Sequence, residues 1–173
     1  MSARQRAENI KLLILDVDGV LTDGGLYYDH EGNVMKRFNV QDGLGIKFAQ
    51  KAGIELAVIT GLNHGAVEKR VSELGITDYY PGQREKLPFY EKLLKDKGLK
   101  DAEVAYIGDD WIDAPVMLRV GLPMAVKNAQ PEICGISKWI SSREGGHGAV
   151  REAVSFILDA QGKLSEIWKE WAD

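Results

Sequence analysis

The chain has 173 residues, enough for one well-buried core and too few for two ordinary domains, so one domain over 1–173 is expected. Hydrophobic residues make up 45% and charged residues 28%, which excludes disordered and fibrous classes, and 22 Lys and Arg against 26 Asp and Glu give a formal charge of -4, which disfavours nucleic acid and anionic membranes as partners. The lone cysteine, Cys134, rules out an intrachain disulfide framework and suits a reducing compartment, with a small buried hydrophobe as its expected role.

Met1 to Asn9 is polar, with no apolar core for a signal peptide, and no later apolar run is long enough to span a bilayer, so a cytoplasmic protein is expected. Lys11 to Leu15 reads as a strand buried on both faces of a parallel sheet and ends at Asp16. Leu26 to Tyr28 and Val34 to Phe38 flank a turn rich in Asp, Gly and Asn, the signature of an inserted β-hairpin. A helix over Asp42–Ala52 then leads to a strand over Glu55–Ile59, which ends at Thr60. Helices over His64–Leu74 and Lys86–Lys97 follow, then a strand over Glu103–Ile107 that ends at Gly108-Asp109. A helix over Asp113–Val120 and a strand over Leu122–Val126 complete the alternation, with Gly53, Gly75, Gly98 and Gly121 as stop signals. Gly145 to Gly148 reads as a flexible loop, Ala149–Ala160 as a helix, and Lys163–Trp171 as an amphipathic helix whose tryptophans are expected to pack on the core or on another subunit. Alternating strands and helices define an α/β class with a mostly parallel, doubly wound sheet. Such sheets bind ligands beyond the carboxyl ends of their strands, where Asp16, Thr60 and Asp109 fall.

The chemistry concentrates at those ends. In Asp16-Val17-Asp18-Gly19-Val20 two carboxylates share one crevice and repel unless a cation or a proton intervenes. That motif alone is as readily a turn as a catalytic site. Asp109, Asp110 and Asp113 add three carboxylates at another strand end, while Thr60-Gly61 and Lys86 supply a hydroxyl, backbone donors and a cation. Together they make a metal site with an anion cradle.

In this order the motifs resemble those of the haloacid dehalogenase superfamily of phosphotransferases. Leu21-Thr22-Asp23-Gly24, Phe38 to Gly43, Tyr80 to Gln83 and Gly145 to Glu152 further resemble its capless branch, typified by 3-deoxy-D-manno-octulosonate 8-phosphate (KDO 8-phosphate) phosphatases, over nearly the whole chain after residue 10. The resemblance implies a Rossmann-like domain with a hairpin flap at about 23–39, a C-terminal helical tail at about 163–173 and no cap domain. It implies Asp16 as nucleophile, Asp18 as general acid and base, and Mg²⁺ held by Asp16, the Asp18 backbone carbonyl and Asp109. Thr60 and Gly61, at a helix N-terminus, would bind phosphoryl oxygens, and Lys86 would offset the charge of the transition state. Asp110 and Asp113 would orient Lys86 and metal-bound water. Substrate contacts are implied at Asp18, Asn39, Val40, Gln41, Asp42, Gly43, Lys47, Gly61, Leu62, Arg70 and Lys86.

The resemblance also implies a homotetramer, in which a neighbour's hairpin and C-terminal tail close each site, and a small sugar phosphate as substrate. Exposed Tyr27, Tyr28 and Phe38 suit that picture. The expected reaction is hydrolysis of KDO 8-phosphate, whose product would feed cell-surface polysaccharide synthesis. The chain departs from the family at Gln41, Leu62 and His147, where arginines are common. Three ligands for a sugar-acid carboxylate are thereby missing, which keeps nine-carbon keto-sugar acid 9-phosphates open as substrates. A non-catalytic tetramerisation module is the rival from another class, opposed by the intact Asp16, Asp18, Thr60, Lys86 and Asp109.

Overall fold

In the computed structural model, which describes residues 1–172, the apolar runs assemble into one sheet. The chain passes through α1 (Ala3–Ala7), β1 (Leu12–Leu15), β2 (Tyr27–Tyr28), β3 (Val34–Met35), α2 (Val40–Lys51), β4 (Glu55–Ile59), α3 (Gly65–Leu74) and β5 (Asp78–Tyr80). It continues through α4 (Leu87–Lys97), β6 (Val104–Gly108), α5 (Ala114–Met117), β7 (Leu122–Ala125), α6 (Pro131–Ile136), β8 (Trp139–Ile140), α7 (Ala149–Ala160) and α8 (Leu164–Ala172). Six strands form a sheet of order β5-β4-β1-β6-β7-β8, and every pairing in it is parallel.

Side-chain alternation divides the core between the two faces of this sheet. Leu13 and Leu15 of β1 pack with α2, α3 and α7 through Ile46, Val67, Val71, Val154 and Ile157. Leu12 and Ile14 pack with α4, α5 and α6 through Tyr90, Leu93, Val116 and Ile133. With helices on both faces, each strand is apolar at successive residues, which is why β1 is buried throughout. Strand order reverses at β1, which has β4 on one side and β6 on the other. The crevice beyond these three strands is therefore the place where a ligand fits.

β2 and β3 form the separate antiparallel hairpin, closed at its base by a bridge between Thr22 and Phe38. Phe38 packs against the core rather than lying exposed, whereas Tyr28 is 59% exposed. The glycine-rich loop is no free segment. Gly146 N–H donates to the Val20 carbonyl, and a Cβ on Gly145 would lie 1.7 Å from the Gly19 carbonyl oxygen. Only glycine allows this loop to lie on the turn after β1. Cys134 is half-buried rather than buried. On α8, Ile167 is buried and Trp171 meets Phe48 edge-on, yet Trp168 and Trp171 stay largely exposed. Among the described residues no helix is long and apolar enough to cross a membrane.

Candidate active site

The strand ends bring together the residues singled out by motif. Asp16 follows β1, Thr60 follows β4 and Asp109 follows β6. Lys86, immediately before α4, is buried beneath them. Its Nζ donates to Asp16 Oδ1 at 2.5 Å, to Asp113 Oδ1 at 2.6 Å and to the Tyr106 hydroxyl at 3.0 Å, which uses all three ammonium protons. Tyr106 in turn donates to Asp113 Oδ1 at 2.6 Å. Asp113 Oδ2 accepts from the Asp109 and Asp110 amides. Asp113 thus fixes both the lysine and the loop after β6. Asp110 caps the short turn that follows, accepting from the Trp111 amide at 2.7 Å, so its carboxylate faces that amide and not Lys86.

The electrostatics of this cluster are those of a cation site. Carboxylate oxygens of Asp16, Asp109 and Asp113 lie within 4.8 Å of one another, around the buried ammonium of Lys86. Burial and then the Asp113 charge push the Asp16 carboxyl up to about 7 despite Lys86. Burial, followed by the charges of Asp16, Asp113 and Asp110, pushes Asp109 up to about 8. Burial works against the charge on Lys86, but Asp16 and Asp113 outweigh it and raise its pKa. The lysine therefore stays charged, and Asp16 and Asp109 are short of positive charge. A hard divalent cation with oxygen ligands fits that deficit. Asp18, assigned through its backbone carbonyl, is outside the carboxylate cluster. The turn that carries it approaches so closely that a Cβ on Gly19, at φ 91°, would lie 2.1 Å from Asp109 Oδ2.

A cleft of about 200 Å³ opens above the cluster, lined by Asp16, Asp18, Gly61, Leu62, Arg84, Asp109, Asp110 and Ile112. Gly61 lies in the loop ahead of α3, which begins at Gly65, rather than at a helix N-terminus. The remaining expected substrate contacts lie outside the cleft lining. Asp42 accepts from the Arg151 amide at 2.8 Å, near the start of α7. Lys47 Nζ donates to the Leu74 carbonyl at the end of α3. Gly43 makes room for Arg70, whose Nη2 would lie 2.2 Å from a Cβ there. Arg70 also reaches the Asn39 carbonyl at 3.5 Å. Asn39 caps α2 through the Gln41 amide and donates to the Gly146 carbonyl, while Val40 is 82% exposed. His147 is bonded through Nδ1 to the Gly145 carbonyl and lies 3.2 Å from Arg37. Two residues of the site had no motif to announce them. Tyr106 sits in an apolar strand, where a buried hydroxyl must find a partner. Arg84 reads as an ordinary loop cation, and it makes no hydrogen bond or ion pair among the described residues.

A parallel sheet with this switch point and this cluster of carboxylates around a buried lysine defines a phosphotransferase of the haloacid dehalogenase-like class, and a sequence profile of haloacid dehalogenase-like hydrolases matches residues 78–152. The chain is 49% identical over 161 residues to the 3-deoxy-D-manno-octulosonate 8-phosphate phosphatase KdsC of Escherichia coli K12, covering 93% of this chain and 86% of that protein. The crystal structure of the phosphatase of that name from Yersinia pestis matches with a TM-score of 0.92 and 47% identity, over 94% of this chain and 88% of that one. The enzyme from Moraxella catarrhalis, solved in complex with magnesium, phosphate and KDO, matches with a TM-score of 0.95 and 39% identity, over 98% and 97% of the two chains. The chain belongs to the 3-deoxy-D-manno-octulosonate 8-phosphate phosphatase family.

Proposed function

We infer that this protein is a Mg²⁺-dependent phosphatase that hydrolyses KDO 8-phosphate to KDO and inorganic phosphate. The observation that carries this reading is the buried cluster of Asp16, Lys86, Asp113 and Asp109 at the strand ends, in a chain that shares 49% identity with KdsC. Lys86 holds Oδ1 of Asp16, which leaves Oδ2 to attack phosphorus. The Asp16–phosphorus bond forms as the bond from phosphorus to the sugar oxygen breaks, and Asp18 gives that oxygen its proton. Asp18 then takes a proton from water, whose oxygen displaces Asp16 and releases phosphate. The Thr60 hydroxyl and Gly61 amide donate to phosphoryl oxygens, and Lys86 offsets their charge. Bound by Asp16, the Asp18 backbone carbonyl and Asp109, Mg²⁺ would supply the charge neutralisation that lets a carboxylate meet a phosphate dianion.

The cleft of about 200 Å³ is smaller than the usual small-molecule site. It suits the phosphoryl end of the substrate and leaves the sugar acid at the mouth. A homotetramer would cover that end, and the exposed Leu26, Tyr28 and Met35 of the hairpin and Trp168 and Trp171 of α8 support this assembly. Sedimentation of a Leu26→Asp, Tyr28→Asp variant should show a smaller species with reduced turnover of the sugar phosphate. The lone thiol supports a cytoplasmic location. The whole chain is proposed to act as one phosphatase domain.

The reading is tested by phosphate release with Mg²⁺ across KDO 8-phosphate, nine-carbon keto-acid 9-phosphates and hexose phosphates. The highest kcat/KM is expected on KDO 8-phosphate. Preference for a nine-carbon acid would reassign the substrate, and silence on all of them would leave a non-catalytic module.

A further inference from the structure

Lys36 is out of keeping with its hairpin. Leu26, Tyr28 and Met35 are each more than half exposed, yet the Lys36 side chain is only 2% exposed, and its Nζ donates to Asp18 Oδ1 at 2.5 Å. An ammonium withdrawn from water is costly unless it is paired, and an aliphatic side chain would fill the same space without that cost. Packing alone therefore does not account for a lysine here. Asp18 accepts no other side-chain hydrogen bond among the described residues, so without Lys36 its carboxylate is free to turn. The lysine itself is carried on a fixed base. Thr22 bridges Phe38, Arg37 donates to the Gly146 carbonyl and faces Asp23 at 3.7 Å, and the Tyr27 hydroxyl donates to Asp23 at 2.6 Å.

We propose that Lys36 is a positioning residue for proton transfer: the hairpin carries its ammonium onto Oδ1 of Asp18, leaving Oδ2 as the oxygen that gives a proton to the departing sugar oxygen and takes one from water. The inference rests on the phosphatase reading and adds the hairpin to the machinery of a single subunit. It ties the flap to the chemistry through one ion pair.

The test compares two leaving groups. A sugar alkoxide needs a proton to depart and a nitrophenolate does not, so the first irreversible step depends on Asp18 for one substrate far more than for the other. Lys36→Met should lower kcat/KM on KDO 8-phosphate at least about tenfold more than on p-nitrophenyl phosphate, and Lys36→Arg should recover part of that difference. In an Asp18→Asn background Lys36→Met should add little further loss. An equal loss on both substrates, or no loss on either, overturns the proposal. Wild-type protein inactive on both substrates overturns the phosphatase reading and the proposal with it. The pair is also read without activity, by reductive methylation and mass spectrometry of native protein. Lys36 should resist labelling in wild type and label readily in Asp18→Asn, and a freely labelled wild-type Lys36 overturns the pairing even if Lys36→Met fails to fold.

Discussion

Asp16 and Asp109 differ in what they lose when neutralised. Asp16 faces Lys86 at 2.5 Å and, in the proposed mechanism, supplies the attacking oxygen, so Asp16→Asn removes both that nucleophile and one anion beside the lysine. Turnover of KDO 8-phosphate should fall by at least about 10³-fold, while circular dichroism shows the fold retained; near-normal turnover would refute the covalent mechanism. Arg84 would have a different task. It is the arginine among the cleft-lining residues, together with Leu62, and in the proposed function it would meet the substrate carboxylate left at the mouth. A guanidinium suits a carboxylate better than any other side chain does. Arg84→Ala should raise KM for KDO 8-phosphate about tenfold and leave p-nitrophenyl phosphate little affected, since a charged hydrogen bond contributes about 1.5–3 kcal/mol. Equal effects on both substrates in steady-state assays would make Arg84 a phosphate ligand instead.

At the scale of elements, the site depends on how closely its loops approach one another. Gly145 packs on the turn after β1, where an added Cβ would meet the Gly19 carbonyl at 1.7 Å. Gly145→Ala should destabilise the protein by about 1–3 kcal/mol through overpacking, measured by urea unfolding, and it should lower turnover by moving Asp18. The same loop shows where sequence patterning stops. β1, β4, β6 and β7 were legible because strands buried on both faces are continuously apolar, and α7 matched its expected span of Ala149–Ala160. β5 is Asp-Tyr-Tyr and half-buried, and β8 has two residues; neither has a pattern of its own, and each exists because a neighbouring strand pairs with it. The helix expected over Asp113–Val120 is reduced to Ala114–Met117 behind a short turn, and the Asp113 at their junction is turned inward to Lys86. Gly121 ends no helix with a left-handed residue; it gives room to Ala102, which a Cβ would approach to 2.7 Å. The convergence of Asp16, Lys86, Asp109 and Asp113 at the strand ends was legible from their motifs. Lys36 and Arg84 were not, because a lysine in a hairpin and an arginine in a loop read as solvated until the fold shows what they face.

For the molecule as a whole, the cluster couples stability to pH and to metal. Folding lifts the Asp16 carboxyl from 3.8 to about 7 and Asp109 from 3.8 to about 8. Between those limits the folded protein binds more protons than the unfolded chain, so stability falls as pH rises across the window. The contribution is complete below about pH 4, where both states are protonated, and is lost as pH climbs through 7 and 8. In the proposed site Mg²⁺ would compete with those same protons, so its binding should strengthen over the range in which the metal-free fold weakens. Thermal unfolding without metal should therefore show Tm declining from pH 5 to pH 8. Saturating Mg²⁺ should raise Tm by about 3 °C or more at pH 8 and by much less at pH 5. Asp109→Asn removes one of the two lifted carboxyls, and it should flatten the pH dependence and abolish most of the Mg²⁺ response together. A variant that kept the full metal response would place the cation elsewhere, because the deficit of positive charge that recruits it resides in Asp16 and Asp109.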